Sequence, residues 1–147
     1  MDLKTQLTES MKDAMKARDT LRKNTLSMAL AAIKQVEVDK RVALDDAAVM
    51  ALLQKEIKNR REALEEAKKA ERADLVSANE AEIAVLEAFL PAAMPADELR
   101  ALVQAAIAET GAAAPSDMGK VMKNVMPKVA GRAPNDAISA MVRELLK

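Results

Sequence analysis

The chain has 147 residues, half of them apolar, and its 23 basic side chains balance 23 acidic ones. This length and apolar content suffice for one domain of ordinary size or two small ones. The absence of Cys and His excludes thiolate nucleophiles, disulfides, imidazole bases and the usual zinc ligands. We therefore expect no metal, no cofactor and no net attraction of the whole molecule for nucleic acid.

Residue usage favours helix. Ala, Leu, Lys, Glu, Met and Arg dominate, while there are only three glycines and Phe89 is the single aromatic residue. We expect an all-α fold without sheet. The start of the chain is charged and amphipathic, and no stretch approaches about 20 consecutive apolar residues, so we predict a cytoplasmic protein with no membrane partner.

Four segments before residue 90 carry apolar residues at spacings of three and four. This pattern predicts helices over residues 2–17, 20–40, about 47–70 and about 73–89. Asp45 or Asp46 is the expected cap of the third helix. The residues that we expect to face inward include Met15 in the first helix, Leu21, Met28, Ala32 and Val36 in the second, and Leu75 in the fourth.

Lys58, Arg61 and Lys68 form a possible cationic row on the third helix. Glu62, Glu65 and Glu66 lie at spacings that allow ion pairs with this row. We therefore favour an ordinary solvated helix face here over a binding surface.

A domain boundary is predicted at L-P-A-A-M-P, residues 90–95, because proline ends helices and biases the residue before it away from helical angles. We expect an N-terminal bundle of about four helices over residues 1–90 and a small three-helix module over 91–147. Its helices should span about 96–109, 117–130 and 135–147. Pro127 lies within the second of these, so that helix should either kink or end and restart there.

Residues 115–135 contain the most informative segment. On a helix that begins after Ser116, apolar side chains share one face, and those of Met118, Met122 and Met126 indicate core filling rather than a peptide groove. The same segment holds four cations and a single acidic residue, Asp117. The cations are Lys120, Lys123, Lys128 and Arg132. Such a cluster is suited to phosphate contacts, although lysine faces are also ordinary on helical proteins.

The residues offer little to an enzyme. Without histidine, a serine nucleophile is left with only a lysine base, and no serine lies in a strand-turn-helix elbow. Neither phosphate-binding glycine motif is found in the sequence. The adjacent carboxylates Asp45-Asp46 and Glu65-Glu66 point about 100° apart on a helix, so we assign no catalytic residue.

Four stretches carry a family pattern along the whole chain: L-K-T-Q-L-T-E-S-M-K-D-A-M-K-A-R-D, L-Q-K-E-I-K-N-R-R-E-A-L-E-E-A, A-E-I-A-V-L-E-A-F-L-P and M-G-K-V-M-K-N-V-M-P-K-V-A-G-R-A. In these stretches the chain resembles the YqeY family, also called GatB/YqeY-domain proteins. The resemblance implies an all-helical N-terminal part and a C-terminal module similar to the tail of the B subunit of the glutamine-dependent aminoacyl-tRNA amidotransferase. That tail helps to hold tRNA.

The residues that match the tail motif are Gly119 to Lys123 and the corner Gly131-Arg132-Ala133. Where the tail commonly has G-K-A-N-P this chain has G-R-A-P-N, which keeps a cation and a proline. The family is described by carbon-nitrogen ligase activity with glutamine as amido-nitrogen donor. The catalytic cradle of the B subunit and the amidase subunit have no counterpart in this sequence.

The leading hypothesis is a non-catalytic tRNA-binding accessory module that contacts phosphates through Lys120, Lys123, Lys128 and Arg132. The resemblance implies amidotransferase subunits or the translation machinery as further partners. The alternative is a helical protein-interaction adaptor in translation, and a third hypothesis is an enzyme of the transamidation pathway.

Overall fold

The computed structural model describes residues 1–146, and Lys147 lies outside them. Helical caps explain where several of its helices begin. The side chains of Asp2, Asp19 and Asp45 each accept a hydrogen bond from a backbone N–H three residues later, at 2.7, 3.2 and 2.9 Å. The helices are α1 (Leu3–Lys16), α2 (Thr20–Lys40), α3 (Asp46–Lys69), α4 (Ala73–Glu87), α5 (Ala96–Thr110), α6 (Met118–Val129) and α7 (Asn135–Leu145).

The prediction of an all-α fold is confirmed, since the described residues contain seven α-helices, one 3₁₀ turn over Pro115–Asp117 and no strand. The predicted helix bounds agree with the structure to within about two residues, the usual uncertainty of a helix end. The last helix ends at Leu145, whereas we predicted it to continue to residue 147, which is not described. No helix within residues 1–146 is both long and apolar enough to cross a membrane.

The chain divides into two compact units, Met1–Leu90 and a second unit that begins at Pro91. In the first unit α1 packs along α2 and α3 packs along α4, while α2 and α3 touch each other much less. Its core consists of Leu3, Leu7, Leu26, Ala29, Ile33, Val49, Leu53, Ile57, Ile83 and Leu86.

In the second unit α5, α6 and α7 pack against one another. Its core consists of Leu99, Val103, Ala106, Val121, Val125, Val129, Ala133, Ile138, Val142 and Leu146. Met118, Met122 and Met126 pack against this core, which is the core-filling role that their spacing indicated. Burying these stripes together is what stabilises three helices that are each too short to be stable alone.

Some apolar residues that we expected to face inward are exposed. Met15, Leu21, Met28 and Leu75 expose 55%, 36%, 60% and 43% of their surface, so their predicted burial is wrong. Each lies at the edge of an apolar stripe on its helix, and that stripe is wider than the surface that the neighbouring helices cover. Pro127 neither ends nor restarts α6, because the helix continues through it to Val129 and ends at Ala130 in the left-handed conformation.

Candidate nucleic-acid interface

The exposed face of α6 carries three of the four predicted cations. Val121, Val125 and Val129 are buried at a spacing of four, which turns the opposite side of the helix toward solvent. Lys120, Lys123 and Lys128 are exposed on that side. The structure therefore brings these three lysines onto one surface of one helix.

Lys120 and Lys123 are the most available of the four cations. Together with Thr110 and Asn124 they line an open depression of about 490 Å³. The nitrogen of Lys120 lies 3.9 Å from a carboxylate oxygen of Asp117, at the outer limit of an ion pair. No partner of the Lys123 ammonium is found among residues 1–146.

Lys128 is engaged within its own unit. Its Nζ donates to Glu109 Oε2 at 3.0 Å and to Asn124 Oδ1 at 3.0 Å. The hydrogen bond from Lys128 holds the pKa of the Glu109 carboxyl below its ordinary value. This pair joins the end of α5 to α6 and neutralises the charge that the sequence assigned to the surface.

Arg132 is engaged more completely. Its guanidinium makes two parallel hydrogen bonds to Glu98, at 2.8 and 3.2 Å, and its Nε donates to the carbonyl of Ala92 at 3.2 Å. Its own carbonyl accepts a hydrogen bond from the Met94 N–H at 2.8 Å. Arg132 therefore holds the start of α5 and the segment before it against the corner between α6 and α7.

Glu98 and Glu109 are the residues that sequence reasoning missed. It counted Asp117 as the only acid near the four cations, because Glu98 and Glu109 lie 34 and 19 positions before the cations they bind. Asp117 itself accepts hydrogen bonds from the backbone N–H groups of Ala113 and Ala114. These bonds hold the pKa of the Asp117 carboxyl below its ordinary value. Through them Asp117 caps the turn over residues 113–117.

Two members of the cationic row on α3 are ion-paired. Arg61 bonds to Glu87 of α4, and Lys68 lies 3.5 Å from Glu65 on its own helix. These contacts agree with the ordinary solvated face that we favoured.

Carboxyl groups with displaced pKa values are explained by ion pairs and caps. A hydrogen bond from Lys4 lowers the pKa of Glu37, and one from Arg72 lowers that of Asp74. A carboxyl whose pKa is lowered stays ionised at neutral pH and is a poor general acid. Residues 1–146 hold no group of three or more His, Cys, Asp or Glu side chains that could bind a metal ion.

Fold and surface together define an all-helical protein of two compact units that exposes lysines along one helix of the second. The chain belongs to the family described as Yqey-like protein, whose model matches residues 4–146. The predicted likeness of the second unit to the amidotransferase tail stays a prediction.

Three curated relatives illustrate this membership. The chain is 33% identical over 90 residues to an uncharacterised protein of Schizosaccharomyces pombe, an alignment that covers 61% of this chain and 73% of the relative. Over 91 residues it is 37% identical to "Altered inheritance of mitochondria protein 41, mitochondrial" of Lachancea thermotolerans, covering 61% of this chain and 49% of that one. A protein of the same name from Pyrenophora tritici-repentis is 28% identical over 144 residues, which are 95% of this chain and 78% of the relative.

The alignment with the Lachancea protein spans about half of that protein's length. Two of these relatives are named as mitochondrial proteins. The cytoplasmic location of this chain therefore stays a prediction.

Proposed function

We propose that the chain is a non-catalytic accessory module that binds folded RNA, tRNA above all, through phosphate contacts made by α6. The observation that carries the proposal is the pair Lys120 and Lys123, exposed side by side at an open depression with Thr110 and Asn124. Two ammonium groups beside the NH2 donor of Asn124 match the chemistry of phosphate oxygens, whereas the Thr110 hydroxyl already donates to the Ala106 carbonyl at 2.8 Å. Phosphate contacts supply most of the affinity of non-specific nucleic-acid binding.

The four predicted cations take different parts in this proposal. Lys120 and Lys123 meet phosphates directly, whereas Lys128 would first exchange Glu109 for a phosphate oxygen. That pair is solvent-exposed, and exposed ion pairs are weak enough to be exchanged. Arg132 acts mainly by holding the corner that presents α6.

Folded RNA suits this surface better than a single strand. Single-strand recognition relies on aromatic side chains on which bases stack, and the only aromatic residue of the chain, Phe89, packs against the core of the first unit. Double-helical parts of an RNA are recognised by shape and phosphates, which lysines on one helix face can follow.

The link to an amidotransferase is the part of the proposal that rests on family resemblance. It is supported by the motif from Gly119 to Lys123, which coincides with the exposed cations. An accessory role agrees with the absence of His and Cys from the sequence and with the lowered carboxyl pKa values.

A double charge reversal tests the proposal. Lys120→Glu with Lys123→Glu should weaken binding of the full chain to bulk tRNA at low salt by at least about tenfold, because two phosphate contacts become repulsive. Binding is measured by electrophoretic mobility shift or fluorescence anisotropy. Circular dichroism checks that the helices are retained.

The matched control is Lys12→Glu with Lys16→Glu, two exposed lysines of α1 that change the net charge by the same amount. This control should bind within about twofold of the wild type. Equal losses in both variants would mean that only the net charge matters. Unchanged binding by the α6 variant would remove the assignment of this site.

A further inference from the structure

A groove separates α2 from α3 in the first unit. These two helices touch little, and the space between them encloses about 420 Å³. Most of its lining is apolar, and three of the nine lining residues are charged. The lining residues are Ala32, Val36, Lys40, Leu44, Ala48, Ala51, Leu52, Lys55 and Glu56. The first unit thus leaves an apolar furrow between two helices open to solvent.

Exposed apolar residues extend this furrow along α2. Met28, Ala32 and Val36 follow one another at a spacing of four, so they lie in one row on the helix. Met28 is 60% exposed, and Leu21, seven residues earlier on the same side, is 36% exposed. A row from Leu21 to Val36 spans about 22 Å along the helix axis, the length of about four helical turns.

The unpaired charge beside the furrow is positive. Lys40 on α2 and Lys55 on α3 stand on opposite walls, and neither has a carboxylate partner within residues 1–146. The acidic residue of the lining, Glu56, is engaged, because its Oε2 accepts a hydrogen bond from Arg60 at 3.0 Å. An occupant of the furrow would therefore meet two free ammonium groups and no free carboxylate among the lining residues.

We propose that the α2–α3 groove binds an amphipathic helix of a partner protein, with its apolar face in the furrow and acidic residues reaching Lys40 and Lys55. Other modes of peptide recognition fit poorly. Strand addition needs a free sheet edge, and residues 1–146 contain no strand. Proline-rich segments dock on aromatic grooves, and this lining has no aromatic residue.

The test uses an 18-residue helical peptide with leucines at positions i, i+3, i+4 and i+7 and glutamates on both flanks of that stripe. A twin peptide carries lysines in place of the glutamates. Each is titrated into the ¹⁵N-labelled full chain up to about 1 mM, so that a dissociation constant as weak as about 1 mM would be detected. The acidic peptide should shift the amide signals of Ala48, Ala51 and Leu52, and the basic twin should shift them far less.

Two variants locate the binding. Ala51→Glu introduces a carboxylate into the furrow and should weaken the acidic peptide by at least about tenfold. Ala63→Glu, at an exposed alanine of the same helix that does not line the furrow, should leave its affinity unchanged. Lys40→Glu with Lys55→Glu should reverse the preference between the two peptides.

The proposal is overturned if neither peptide shifts these amides, if both shift them equally, or if Ala51→Glu binds as the wild type does. Sedimentation of the free chain tests whether a second copy of the chain occupies the groove instead. A dimer that Ala51→Glu dissociates would show that it does. Binding of tRNA by Ala51→Glu should equal that of the wild type. This readout separates failure of the groove from failure of the RNA site.

Discussion

At the scale of single residues, Arg132 differs from Lys120, Lys123 and Lys128, although all four were predicted as one cationic cluster. Its side chain is 34% exposed, and its guanidinium makes three hydrogen bonds inside its unit, two of them to one carboxylate. A planar guanidinium is suited to this geometry, whereas an ammonium cannot make two parallel bonds. Arg132 is therefore first a structural residue of the α6–α7 corner.

Replacing Arg132 by alanine should lower the free energy of unfolding by about 1 kcal/mol, since a two-point ion pair and a bond to a carbonyl are lost. Arg132→Lys should recover little of this loss. Urea unfolding followed by circular dichroism measures both variants.

Lys123→Ala is the control, because Lys123 has no partner among residues 1–146 and its removal should change stability by less than about 0.5 kcal/mol. If Arg132→Ala unfolded at the same urea concentration as the wild type, the structural role of Arg132 would be refuted.

The cations themselves were predictable from the sequence, but their availability was not. Periodicity places Lys120, Lys123 and Lys128 on one side of a helix without any knowledge of the fold. Their pairing depends on how α5 packs against α6, which brings Glu109 to Lys128. Contacts between residues far apart in sequence leave no local pattern.

At the scale of helices, left-handed residues end two of the helices in the second unit. Gly111 closes α5 at φ 69°, and Ala130 closes α6 at φ 50°. Glycine adopts this conformation freely, whereas alanine is strained in it by about 1 kcal/mol. Glycine after a helix is the usual sequence signal of such an end, as at Gly111, whereas no sequence signal marks an alanine as left-handed.

Opposite substitutions at these two positions should have opposite effects. Gly111→Ala should destabilise the protein by about 1 kcal/mol through backbone strain, since no atom crowds an added methyl group there. Ala130→Gly should stabilise it by a smaller amount, because glycine relieves the strain but has more freedom in the unfolded chain. Thermal unfolding of both variants measures the difference. A shift in the same direction for both would contradict this account of the two helix ends.

Helix positions were easier to predict than helix faces. Aspartates that cap α1, α2 and α3, together with glycine and proline at later corners, mark the ends of helices locally. Which side of a wide apolar stripe is covered depends on the neighbours. Met28 was wrongly predicted to face inward for this reason, and it is exposed on the side of α2 that borders the groove.

At the scale of the whole molecule, charge balance makes any RNA binding a local property. With 23 basic and 23 acidic side chains the chain has no net charge to attract a polyanion. Affinity must then arise where phosphates meet free cations, and the number of such contacts sets how steeply binding weakens with salt.

The decisive measurement is therefore the salt dependence of tRNA binding by the full chain, beside a duplex DNA of similar length. Two contacts from Lys120 and Lys123 predict a slope of about −2 in a plot of log affinity against log salt, and all four cations would give about −3.6. We predict a slope of about −2 to −3 with preference for tRNA, the steeper value applying if Lys128 exchanges its partner. No binding at low salt, or binding that does not change with salt, would contradict a phosphate-binding surface on α6.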